Sequence, residues 1–272
     1  MLLCQDRLSP KGKPLNSLWG LTLRRQKPYF QCMKRLNILS RNNLYAIVLV
    51  YFLVLFAAVL ITSESYGYFE GDFYPRLLGL LVAVLWGSFF IFAAELLRTF
   101  GYSASFIRAI RFILLFCFIV GFTLANPLLD YQYLAISQSL FVLFHVLTFC
   151  LILIILRAIL TDIFRSESTH QDHIWGAVVC YFLGILLFAD IYEIISLVTP
   201  GLLGKVYERG LPNYIECILF SINAASGLDS LYPEAHSLFK KIANIENLLA
   251  NLFLIVALGR LLSHPLERKA ES

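Results

Sequence analysis

Charge is scarce in this sequence. Asp, Glu, Lys and Arg make up 15% of its 272 residues, against about 25% in an ordinary globular chain. The formal net charge is only +4, and it gathers near the N-terminus, so the basic excess speaks of membrane topology and no nucleic-acid partner is expected. The chain also lacks the signatures of chemistry. No histidine is placed to activate a serine as a triad needs, no glycine-rich loop is built to cradle phosphate, and no acid pair or metal set clusters. No catalytic residue, cofactor or metal is therefore expected. Six cysteines, Cys4, Cys32, Cys117, Cys150, Cys180 and Cys217, show no paired spacing. Four of them sit in apolar runs and read as single buried residues, not disulfides or metal ligands. There is no internal repeat, and the first 43 residues lack the apolar core and small-residue cleavage site of a secretory signal.

What the chain has in abundance is apolar surface. Hydrophobic residues reach 59% and mean hydropathy is +0.74. Several uninterrupted runs are long enough to cross a bilayer, which takes about 20 residues. The spacing predicts spans near Leu44–Thr62, Leu77–Leu97, Ile107–Leu124, Tyr133–Leu160, Ile174–Val198 and Leu238–Leu262. Lys and Arg sit at the inner ends, whereas the first two outer links carry Glu64, Glu70, Asp72 and Asp130. The positive-inside rule then puts both termini in the cytoplasm of a multi-pass inner-membrane (cell-membrane) protein. The tail of residues 1–43 interleaves basic residues with Trp19, Tyr29 and Phe30; it either lies on anionic membrane lipid or is partly disordered. Domain boundaries follow: a basic tail over 1–43, a four-helix bundle over 44–165, a distal unit over 166–264 and a short tail over 265–272. The linker Arg165–His173 separates bundle from distal unit and reads as a solvated loop.

Polar residues inside the apolar runs are the informative exceptions. A voltage sensor needs Arg or Lys at every third position of its fourth helix, but the fourth span has none before Arg157. Arg108 and Arg111 read as topology anchors, and Glu95 reads as the partner of Arg98 one turn on or else as a buried countercharge for Arg108 or Arg111. His145 stands alone in the fourth span and reads as packed, neutral and hydrogen-bonded. Asp190 and Glu193 share one face of the fifth span. They serve either as a cation-attracting vestibule or as buried hydrogen-bonded supports. In the sixth span Asn244, Asn247 and Asn251 form one helical stripe that Leu254, Leu258 and Leu261 continue, with Gly259 as a possible hinge.

The stretch Pro212–Leu262 organises the rest. A short amphipathic helix ends in small residues, Ala224, Ala225, Ser226 and Gly227, then Leu228, Asp229 and Pro233, and a full span follows. With L-F-S-I at 219–222, S-G-L-D at 226–229, Glu246 early in the last helix and A-L-G-R-L-L at 257–262, the region 172–264 resembles the pore domain of the tetrameric potassium-channel superfamily. The likeness is to the bacterial two-helix ion-channel module in particular. That resemblance implies an all-α membrane protein of six transmembrane helices with a re-entrant pore helix and loop between the fifth and sixth. It implies a homotetramer passing monovalent cations. Glu193 and Glu246 would brace the filter, and Ala224–Asp229 would form it. Asn244, Asn247, Asn251, Leu254 and Leu258 would line the inner pore.

One departure sets the expected selectivity. The family's G-Y-G-D is G-L-D here, one residue shorter. Potassium filters present a ladder of backbone carbonyls to the ion, and a shortened loop breaks its register. Weak selectivity among monovalent cations is expected, with Asp229 as an acidic ring. The alternatives are a non-conducting, channel-derived scaffold or modulatory subunit and, in a third class, a transporter or membrane enzyme. Paired broken helices, which mark a transporter, are missing.

Overall fold

Helices form where the side chains leave the backbone no better choice. In the computed structural model residues 45–62, 80–82, 84–85, 88, 97–98, 100–124, 137–164, 170–206, 210–228 and 232–270 are described. They give α1 (Tyr45–Thr62), α2 (Ala104–Leu124), α3 (Ser137–Ile163), α4 (His170–Val198), α5 (Leu211–Ser226) and α6 (Ser237–Ala270). No strand occurs among the described residues. The 27 residues of α3 contain neither Gly nor Pro. Its threonine hydroxyls are satisfied within the helix: Thr148 Oγ1 donates to the Phe144 carbonyl at 2.9 Å and Thr161 Oγ1 to Arg157 at 2.7 Å. Thr62 does the same in α1, to Ala58 at 2.7 Å.

Four of these helices have stretches long and apolar enough to cross a membrane: Tyr45–Thr62, Gln138–Ile163, His173–Val198 and Ser237–Gly259. The chain thus has the architecture of an all-helical membrane protein. The expected first, fourth, fifth and sixth spans coincide with these helices. Within the third, α2 is helical from Ala104. The expected second span, with Glu95, falls mostly outside the described residues, as do residues 1–43, Asp130 and most of the 165–173 linker.

α4 is the hub. It packs against α3, α5 and α6, and its Phe182 ring meets α1 at Phe52 and Phe56, 5.8 and 5.2 Å between centroids. A continuous core links Phe52 of α1, Leu114 of α2, Ile152 and Ile155 of α3, Leu183 and Leu186 of α4, and Ile215 and Ile218 of α5. A second cluster, Tyr192, Leu202, Leu203, Cys217, Phe220, Ala235 and Phe239, ties the connections around α5 together. The described residues of 41–272 pack as one unit. The last part of the 165–173 linker is not a solvated loop. α4 begins at His170, and His173 is buried at 1% exposure. Gly176 explains this: a Cβ there would lie 2.9 Å from Ile163 Cγ1, so α3 and α4 close tightly and carry His173 inward.

Candidate functional site

Of the four acids buried among the described residues, Asp162 on α3, at 4% exposure, accepts from Tyr45 at 3.3 Å, and the other three are almost free of solvent: Asp190 and Glu193 on α4 at 0% exposure, and Glu246 on α6 at 2%. The positions of α4 and α5 explain how they are held. Asp190 and Glu193 are i, i+3 neighbours on one face of α4. Facing them, α5 presents Asn213, Cys217 and Ser221, an i, i+4, i+8 stripe that is wholly buried. A buried carboxyl is tolerated only where donors reach it, and this stripe supplies them.

Glu193 Oε2 accepts from Asn213 Nδ2 at 2.5 Å and from the Cys217 thiol at 3.4 Å. Ser196 exchanges hydrogen bonds with the Asn213 amide at 3.1 and 3.2 Å. Glu246 accepts from the Tyr192 hydroxyl at 2.8 Å and from Ser221, whose Oγ also lies 2.8 Å from the Ile185 carbonyl. Asp190 meets α3 instead: its Oδ1 lies 2.9 Å from His145 Nδ1. The His145 ring is enclosed by Phe144 and Tyr214, with centroids at 5.0 and 4.8 Å. His145 is therefore packed and hydrogen-bonded, as its isolation in an apolar run requires. At about 1.5 Å per residue, Asp190 lies about 12 Å along the axis from the Val198 end of α4.

The segment expected to form a filter is built differently from a loop. Ala224, Ala225 and Ser226 are the last turn of α5, which runs past Ile222 to Ser226. Alanine is the strongest helix former, and Gly227 ends the helix in the left-handed region at φ 65°. The nearby carbonyls are occupied: Ser226 Oγ donates to Ile222 at 2.7 Å and the Gly227 amide to Ala224 at 3.1 Å. Leu228 is exposed, and Asp229 lies outside the described residues. Gly227 abuts α6, where a Cβ would fall 3.2 Å from Asn247 Nδ2. Asn247 in turn accepts from Asn251 one turn on. Asn244, Leu254 and Leu258 are exposed along the same helix.

Residue types alone had singled out the three acids and the asparagines, but not their partners. Tyr192, Ser196, Asn213, Cys217 and Ser221 were missed, although the Asn213, Cys217, Ser221 periodicity was there to be read. These features define an all-helical membrane protein whose last three helices are joined by a buried polar seam. No protein-family model matches the chain, and no match to it is found among curated proteins or among solved structures.

Proposed function

We propose that this chain is the subunit of a homotetrameric, weakly selective cation channel in the cell membrane, with both termini cytoplasmic. α5 carries the proposal. Its 16 residues span about 24 Å at about 1.5 Å per residue, short of the roughly 30 Å hydrocarbon thickness. It is nonetheless buried between two helices that can cross, α4 and α6, and its C-terminal glycine rests on the asparagines of α6. A short helix at that depth is tolerated where it is enclosed in protein or borders water. Four such ends around an axis would create a constriction, with Asp229 as its acidic ring and Asn244, Asn247, Asn251, Leu254 and Leu258 below it. Glu193 and Glu246 hold α5 in place through Asn213, Cys217 and Ser221.

The occupied carbonyls of Ile222 and Ala224 favour a second reading, a channel-derived subunit that does not conduct. Both readings meet one experiment: recording from the purified protein in planar bilayers under a potassium–sodium gradient. Conduction with a reversal potential near zero is expected, with Asp229→Asn lowering the cation current. Reversal near the potassium equilibrium potential would overturn the weak-selectivity reading. Absence of current from an intact tetramer would select the non-conducting one.

A further inference from the structure

A polar centre at the heart of the bundle does work that holding α5 does not require. We propose that His145, Asp190 and Glu193 form an intramembrane proton-binding site, loaded at neutral pH. The inference is independent of conduction and stands whether or not the assembly passes ions.

The geometry fixes the chemistry. Four helices converge here. Within electrostatic reach of Asp190 are Cys117 from α2, His145 from α3, Glu193 on α4 itself, and Tyr214 and Cys217 from α5. The third acid, Glu246 of α6, is held separately by Tyr192 and Ser221. Asp190 pairs with His145, and the polar partners of Glu193 are Asn213 and Cys217. No Lys or Arg joins these acids among the described residues. With no extra proton bound the two carboxylates therefore carry a charge of −2, and one extra proton, on whichever of the three groups it sits, leaves −1. Neutrality, which a site excluded from water demands, needs two protons over the three groups.

Two positions mark where protons sit. The His145–Asp190 contact needs one proton between Nδ1 and Oδ1, on whichever atom holds it. Glu193 Oε1 is buried with no hydrogen-bond partner among the described residues, whereas Asp190 lies within hydrogen-bonding reach of Tyr214 and Thr148 as well as His145. A bare carboxylate oxygen at the Glu193 position is strongly disfavoured, and a neutral carboxyl there avoids the cost of a buried, unpaired charge. A metal ion fits poorly by comparison. No group of three or more His, Cys, Asp and Glu among the described residues is arranged to hold one, and aromatic rings close around His145. Each of the two protons is taken from water and neutralises one negative charge; its release returns the proton and leaves the charge.

Infrared difference spectra of the purified full-length protein, stepped in pH in H2O and D2O, test this. A protonated-carboxyl band that persists at neutral pH is expected, since solvent-exposed carboxyls, with ordinary values of about 4, are then ionised. The band should be lost or reduced in Asp190→Asn and in Glu193→Gln. In His145→Gln its midpoint should shift, since the variant replaces the ring nitrogen that faces Asp190 Oδ1 at 2.9 Å. If Asp190→Asn does not fold, Glu193→Gln and His145→Gln carry the test. Absence of the band, or a band indifferent to all three variants, overturns the proposal. So does a midpoint that moves when choline replaces sodium, which would make the site one for a metal cation.

Discussion

Tyr192 shows how one residue can belong to two chemistries. Its ring packs edge-on to Phe220 at 4.9 Å and against Phe239 at 5.1 Å, inside the cluster around α5. Its hydroxyl reaches in the other direction, to Glu246. Tyr192→Phe keeps the packing and removes one of two donors from a buried carboxyl. Such a loss costs about 1–3 kcal/mol, and each kcal/mol lowers Tm by roughly 2–4 °C in a chain of 150–250 residues. Thermal unfolding of the variant in detergent measures it, and an unchanged Tm would show that Glu246 does not depend on Tyr192. The acids themselves were legible in the sequence because a carboxyl in an apolar run must be accounted for. Their partners were not: His145 lies 45 residues from Asp190 and Tyr192 54 from Glu246, and no local pattern specifies a pairing at that separation.

Among the elements, the long helices were readable to within a few residues because apolar runs without breakers leave few alternatives. The end of α5 was read too early, at Ile222, since small residues were taken for loop where Ala224 and Ala225 prolong the helix. The connection after α4 was opaque for a different reason: its shape depends on a tertiary contact. Gly204 has φ +91°, and a Cβ there would lie 2.8 Å from Glu234 Cβ and 3.2 Å from its carbonyl carbon. Beside it the His236 amide donates to the Leu202 carbonyl at 2.8 Å, stitching this connection to the one before α6. Gly204→Ala therefore meets both backbone strain and a clash, a loss of about 1–3 kcal/mol. Gly184, inside α4, has nothing within 4 Å of an added Cβ. Gly184→Ala should stabilise by about 0.4–1 kcal/mol through the unfolded chain. Opposite shifts of Tm are expected from the two substitutions, and a loss in both would show that α4 is more crowded at Gly184 than its surroundings indicate.

At the scale of the molecule the question is what α6 faces. Within one chain it is held along a single stripe, Phe239, Ile242, Ala243, Glu246, Ala250 and Phe253, packed against the two clusters. Elsewhere Leu248, Leu249, Leu252, Ile255 and Leu258 are exposed, and so are Asn244 and Asn251. Lipid suits the leucines but not the asparagines, because an amide in hydrocarbon loses hydrogen bonds it cannot replace. The proposed tetramer would resolve this. Around a fourfold axis the amide stripe would turn toward water or toward its own copies, and the apolar faces would meet neighbouring subunits or lipid. Native mass spectrometry in mild detergent should accordingly return four times the 31.0 kDa chain. Asn251→Leu, which removes an amide from the stripe and the hydrogen bond to Asn247, should preserve that mass while altering any current. A monomer in conditions that keep the chain folded would leave the asparagines facing lipid, and the channel reading would fall with the assembly.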